Sequence, residues 1–216
     1  MNEILQNISE NLQKGKAKIV KELVEQALTE GISAGDILQN GLMPGMDVIA
    51  VKFKNNEVYV PEVLIAARAM NTGTELLKPY LTDDDAANIG KVIIGTVKGD
   101  MHDIGKNLVR MMMEGKGLEV IDLGVDVPAE KYLDAYYEEK PDVIAMSALL
   151  TTTMGEIKNI VQAFTDAGIR NDVILMVGGA PLTDDFCKQS GADIYAADAA
   201  SAAELAKEAI LNKKRM

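Results

Sequence analysis

Apolar positions in the first 80 residues recur at helical spacing. A short amphipathic segment covers residues 4–12, between Ile4 and Leu12. In the next, Ile19, Val20, Leu23, Val24, Ala27 and Leu28 share one face, with Lys18, Lys21, Glu22 and Glu25 on the other. Gly31 stands where a helix-ending glycine belongs. A further segment starts near Asp36 and runs through Ile37, Leu38, Leu42, Met46, Val48, Ile49 and Phe53. Pro44 and Gly45 interrupt it and predict a kink or a break. The last begins with Pro61 in its first turn and reaches about residue 80, with Val63, Leu64, Ala67, Met70 and Leu77 on its buried side. Residues 1–88 therefore read as a small all-α bundle, and the acidic stretch 82–90 as a linker to the second half of the chain.

The pattern then changes. Short apolar runs at 92–97, 118–123, 143–146, 173–177 and 194–196 are bounded by glycine or proline and separated by segments long enough for helices. Strands that are apolar throughout and alternate with helices predict a parallel sheet covered on both faces. Five such units over residues 89–216 predict a flavodoxin-like (Rossmann-like) doubly wound α/β domain with right-handed crossovers.

Charge and composition narrow the function classes. The 33 acidic and 22 basic residues leave a net charge of -11, a field that repels nucleic acid and anionic membranes. Aromatics are 4% of residues and tryptophan is absent, which argues against a base-stacking or sugar-stacking surface. Cys187 is the only cysteine, so no intramolecular disulfide can form, and a reducing cytoplasm is the expected compartment. The N-terminus lacks the basic and apolar regions of a signal peptide, and the longest apolar run, 143–150, is too short to span a bilayer.

In doubly wound domains ligands bind at the carboxyl ends of the strands. The first run is followed by Gly99-Asp100-Met101-His102-Asp103-Ile104-Gly105, the third by Ser147-Ala148-Leu149-Leu150-Thr151-Thr152, the fourth by Gly178-Gly179. His102 is the only histidine in the chain. A neutral imidazole ligates transition metals well, and a carboxylate on its far nitrogen fixes the tautomer. Asp100 would reach the same side if the backbone there is extended. One histidine and one cysteine do not make a tetrahedral zinc site without several carboxylates. A metal on His102 would need most of its ligands from a cofactor; a purely structural histidine remains the other reading at this point.

Asp100-x-His102-x-x-Gly105, then 41 residues, Ser147-x-Leu149, then 28 residues, Gly178-Gly179 resembles the signature of cobalamin-binding domains, in the family's order and spacing. Upstream, Gly41-Leu42-Met43-Pro44-Gly45-Met46 and Val60-Pro61-Glu62-Val63 are similar to the helical cap that precedes that domain in methionine synthase and in small corrinoid proteins. The resemblance implies a bound corrinoid (methylcobalamin or cob(I)alamin) whose benzimidazole leaves cobalt, with His102 as lower axial ligand and metal-binding residue. It implies that Asp100 bonds His102 and that Ser147 continues the relay. Met101, Asp103, Ile104 and Gly105 would lie against the corrin. Leu149, Thr151, Thr152, Gly178 and Gly179 would line the channel for the nucleotide tail, and Tyr59, Leu64 and Met70 of the cap would cover the upper face.

The function implied is carriage of a methyl group, in a chain that is not a complete enzyme alone. A substrate-specific methyltransferase using methylamine, methanol or a methoxyaromatic would load it. A second would pass the methyl to tetrahydrofolate or a thiol such as coenzyme M, and a reductive activase would serve the system. No nucleic-acid or membrane partner is expected. The small subunit of an adenosylcobalamin mutase shares Asp-x-His-x-x-Gly but normally lacks this cap. A cobalamin-dependent sensor would carry a DNA-binding or signalling module, and a cofactor-free receiver would want an acidic cluster where Ser147 stands.

Overall fold

The computed structural model describes residues 2–81 and 89–215, so most of the expected linker, 82–88, lies outside the described residues. The chain divides into two compact units, Met1–Asn88 with Gly115–Gly117, and Ile89–Glu114 with Leu118–Met216.

The first unit contains α1 (Glu3–Gln13), α2 (Ala17–Thr29), a one-turn α3 (Ala34–Ile37), a π-helical turn (Leu38–Leu42), α4 (Met43–Lys54), α5 (Val60–Leu77) and a 3₁₀ turn (Lys78–Tyr80). Ile8, Leu12, Val20, Val24, Ile37, Leu42, Ile49, Val63 and Leu77 are fully or almost fully buried. The predicted break at Pro44–Gly45 takes another form. The chain stays helical from Ala34 to Lys54, and the irregularity is the π turn just before Pro44, which then sits in the first turn of α4 where its missing N–H costs nothing. Gly45 serves packing instead, since a Cβ there would stand 2.9 Å from the Ser9 carbonyl oxygen of α1. Gly73 of α5 gives way in the same manner to Leu42, 2.8 Å from where its Cβ would be. Gly31 follows α2 at φ +82°, as its sequence position predicts.

The second unit is a five-stranded, all-parallel sheet in the order β2-β1-β3-β4-β5. Its elements are β1 (Lys91–Thr96), α6 (Ile104–Gly115), β2 (Glu119–Asp122), α7 (Ala129–Glu139), β3 (Val143–Ser147), α8 (Gly155–Asp166), β4 (Ile174–Gly178), α9 (Asp184–Ser190), β5 (Ile194–Ala196) and α10 (Ala199–Arg215). Ile93, Ile144, Met146, Leu175 and Val177 point into one core with Tyr132, Tyr136, Ile157, Ile160 and Phe164. Alternation along the strands puts Thr96, Ala145, Ser147, Met176 and Gly178 on the opposite face. That face narrows to small residues toward its carboxyl end, and α10 likewise buries Ala199, Ala200, Ala202, Ala203 and Ala206. Helix α6 is tied to β2 by a buried ion pair, Lys106 to Asp122, with Arg110 Nη1 3.3 Å from the same carboxylate.

Candidate functional site

After β1 the chain turns toward β2, and after β3 it turns the other way toward β4, so the two following loops part at this switch point. Thr96, Ser147 and Gly178 stand side by side in register across the carboxyl edge. Val97 still donates its N–H to the Ser147 carbonyl at 3.0 Å; then Gly99, at φ +79°, turns the chain, and the Asp100 N–H closes on the Val97 carbonyl at 3.1 Å. A tight turn centred on Lys98 and Gly99 thus delivers the chain to Asp100, and Asp100 and His102 come together just beyond it. Asp100 Oδ1 accepts the His102 backbone N–H at 3.1 Å and lies 2.7 Å from His102 Nδ1. Thr96 Oγ1 donates to the His102 carbonyl at 2.9 Å, holding the loop from the sheet side.

Asp100 is fully buried, and its second oxygen, Oδ2, accepts from Leu149 N–H (2.7 Å), Leu150 N–H (3.1 Å) and Thr153 Oγ1 (2.9 Å). Burial favours the neutral acid. Against it act the Leu149 amide, the His102 ring and amide, and the Thr153 hydroxyl, which together hold the carboxyl well below the usual carboxylate range. With the Asp100 carboxylate as acceptor on Nδ1, Nε2 makes no hydrogen bond among the described residues and lies on a half-exposed ring. This is how proteins prepare a histidine to ligate a transition metal.

The relay expected from Asp100 to Ser147 is made by Thr153 instead, while Ser147 occupies the β1–β3–β4 ladder. Sequence reasoning missed Thr153 because it ends a run of three threonines. Thr151 and Thr152 are exposed, and only the third is buried. The one signal was position: Thr153 stands two residues before α8, where hydroxyl side chains commonly bond the backbone. The donors Leu149 and Leu150 are main-chain groups and left no mark in the sequence.

Around His102, four large apolar side chains of this unit are exposed: Met101 (69%), Ile104 (76%), Leu149 (42%) and Leu150 (39%). Asp103 accepts from the Asn107 side chain at 3.1 Å, and Gly105 opens α6 with nothing within 4 Å of where its Cβ would be. Gly179, at φ +139°, lets β4 run close against the β3 loop, since a Cβ there would lie 1.9 Å from the Ala148 carbonyl oxygen. In the helical unit Tyr59 and Leu64 are exposed, whereas Met70 is buried and has little surface to present to a ligand. Among the described residues no group of three or more His, Cys, Asp or Glu gathers as an ion site, and no helix is long and apolar enough to cross a membrane. A group that brings its own equatorial ligands, a broad apolar face and a narrow tail fits these residues: Nε2 for the metal, the apolar collar for the face, and Gly178–Gly179 with the small-residue face for the tail.

Residues 90–206 match the model of a B12 binding domain, and residues 4–78 match a second model of the same description. Trimethylamine corrinoid protein 1 of Methanosarcina acetivorans is 41% identical over 180 residues, covering 82% of this chain and 83% of the relative. Dimethylamine corrinoid protein 3 of the same organism is 37% identical, covering 96% and 97%. Among solved structures, a chain of the methanol:cobalamin methyltransferase complex of Methanosarcina barkeri superposes with a TM-score of 0.86 at 32% identity, covering 97% of this chain and 80% of that one.

Proposed function

Because the chain belongs to the B12-binding corrinoid proteins, we propose that it is the methyl carrier of a methylamine methyltransferase system. The observation that carries this reading is the buried, five-donor Asp100 carboxylate presenting His102 with Nε2 free at the β1–β3 switch point. When bound, the corrinoid supplies a cobalt centre that accepts and releases a methyl group. The chain's own residues do the rest. His102 Nε2 would hold the cobalt. Asp100 keeps Nδ1 protonated and raises the donor strength of the ring, with Thr153 and the amides of Leu149 and Leu150 keeping Asp100 charged. Met101, Asp103, Ile104, Gly105 and Leu149 would hold the corrin, and Ser147, Thr151, Thr152, Gly178 and Gly179 would receive the tail. In the expected cap, residues 1–88, Tyr59 and Leu64 are exposed and have the surface a covering role would need, whereas Met70 is buried.

Methylamines are favoured as donors because the relatives cited at 41% and 37% identity are named for trimethylamine and dimethylamine. A substrate-specific methyltransferase, a second methyltransferase to tetrahydrofolate or a thiol, and a reductive activase complete the system. The test is to load the protein with reduced cobalamin and add purified trimethylamine, dimethylamine or methanol methyltransferase, each with its substrate. Methyl–cobalt absorbance should develop with a methylamine enzyme. Methylation by the methanol enzyme alone would overturn the donor assignment.

A further inference from the structure

Asp126 stands in the loop between β2 and α7 and has no part in the signature shared with cobalamin-binding domains. It is one of three non-glycine residues with positive φ among those described, at +54°, a conformation that L side chains adopt at a cost and that aspartate and asparagine tolerate better than most. Its contacts account for that cost. The Asp126 N–H donates to the Asp100 carbonyl at 3.0 Å, and its Oδ1 accepts the Gly99 N–H at 2.6 Å. The two bonds run in opposite directions to the peptides on either side of this residue pair, Lys98–Gly99 and Asp100–Met101, so together they fix the placement of Gly99 and Asp100. The neighbouring Val97–Val127 bridge holds the loop alongside.

The carboxylate of Asp100 is gripped by the β3–α8 loop, and its main chain by Asp126. His102, two residues on, is bonded to that doubly held turn through Asp100 and keeps a half-exposed ring. We propose that Asp126 is a positioning residue that sets the reach of His102 toward cobalt, and so the balance between histidine-on and histidine-off corrinoid. The proposal rests on His102 being the axial ligand. Asp126 acts through Gly99 and Asp100, and needs only an acceptor oxygen at Oδ1, which asparagine also offers.

The test compares wild type, Asp126→Ala, Asp126→Asn and Asp126→Gly, each reconstituted with hydroxocobalamin at pH 7. Axial histidine is read from the visible spectrum and, after one-electron reduction, from nitrogen splitting in the cobalt(II) paramagnetic resonance spectrum. Asp126→Ala should bind one corrinoid yet lower the on/off ratio roughly tenfold, the worth of one hydrogen bond. Asp126→Asn should restore it. Asp126→Gly, which relaxes the backbone at φ +54° without supplying an acceptor, should resemble Asp126→Ala and guards against loss by misfolding. In the apoproteins, amide exchange at Gly99 should quicken in Ala and Gly but not in Asn. A wild-type ratio in Asp126→Ala and Asp126→Gly, or an Asn variant as impaired as Ala, would overturn the proposal. Absence of a histidine-on signal in wild type itself would instead strike the assignment of His102, while exchange at Gly99 would still report the clamp.

Discussion

Position 179 leaves no room for a methyl group: its φ of +139° suits glycine, and a Cβ would press on the Ala148 carbonyl. Gly179→Ala should cost about 2–3 kcal/mol in urea unfolding of the apoprotein. Gly105 is the contrasting case, with open space where its Cβ would be. Gly105→Ala should change apoprotein stability by less than about 0.5 kcal/mol, yet weaken corrinoid binding by calorimetry if the corrin packs there. Thr153→Ala removes a donor to a buried charge and should cost about 1.5–2 kcal/mol, with Thr153→Ser recovering most of it. The sequence made His102, Asp100 and the glycines legible, because glycine and a lone histidine have few other reasons to stand at those positions. It did not make Thr153 or Asp126 legible. Their roles depend on which of three threonines turns inward, and on a loop 26 residues from Asp100 arriving beside it.

Among the elements, α6 matters most to the site because it begins directly after the His102 loop. Its anchor is Lys106, almost wholly buried and paired with Asp122 on β2. Burial opposes the charged form of Asp122, but hydrogen bonds from Lys106 and the Gly124 amide, with the charges of Lys106 and Arg110, keep its carboxyl below the ordinary range. A lowered carboxyl pKa contributes stability that is complete above the unfolded value of about 4 and is lost as pH falls through the folded value. Asp122→Asn should therefore lose about 3 kcal/mol at pH 7, by stranding a buried cation. Its unfolding midpoint should then fall less than that of wild type between about pH 5 and 3. Apolar runs located all five strands to within a residue or two; β1, β3 and β4, buried on both faces, read as nearly continuous apolar runs, while β2 and β5 are only partly buried. Around Pro44 local propensity misled, because the glycine beside it answers to α1 across the bundle and not to its own helix.

On the scale of the whole molecule, the net charge of -11 and the membership in the B12-binding family fit a methyl-carrying corrinoid protein that works with a methyltransferase and not with nucleic acid. The two units each match a B12 binding model, and the second alone holds the Asp100–His102–Thr153 constellation. The proposed function hinges on one bond, from His102 Nε2 to cobalt. The most direct measurement is reconstitution of the apoprotein with hydroxocobalamin, recording visible spectra of wild type and His102→Ala. Stoichiometric binding with a base-off, histidine-on spectrum in wild type, lost in His102→Ala, is the predicted result. Failure of wild type to bind the corrinoid, or identical spectra from the two proteins, would contradict it.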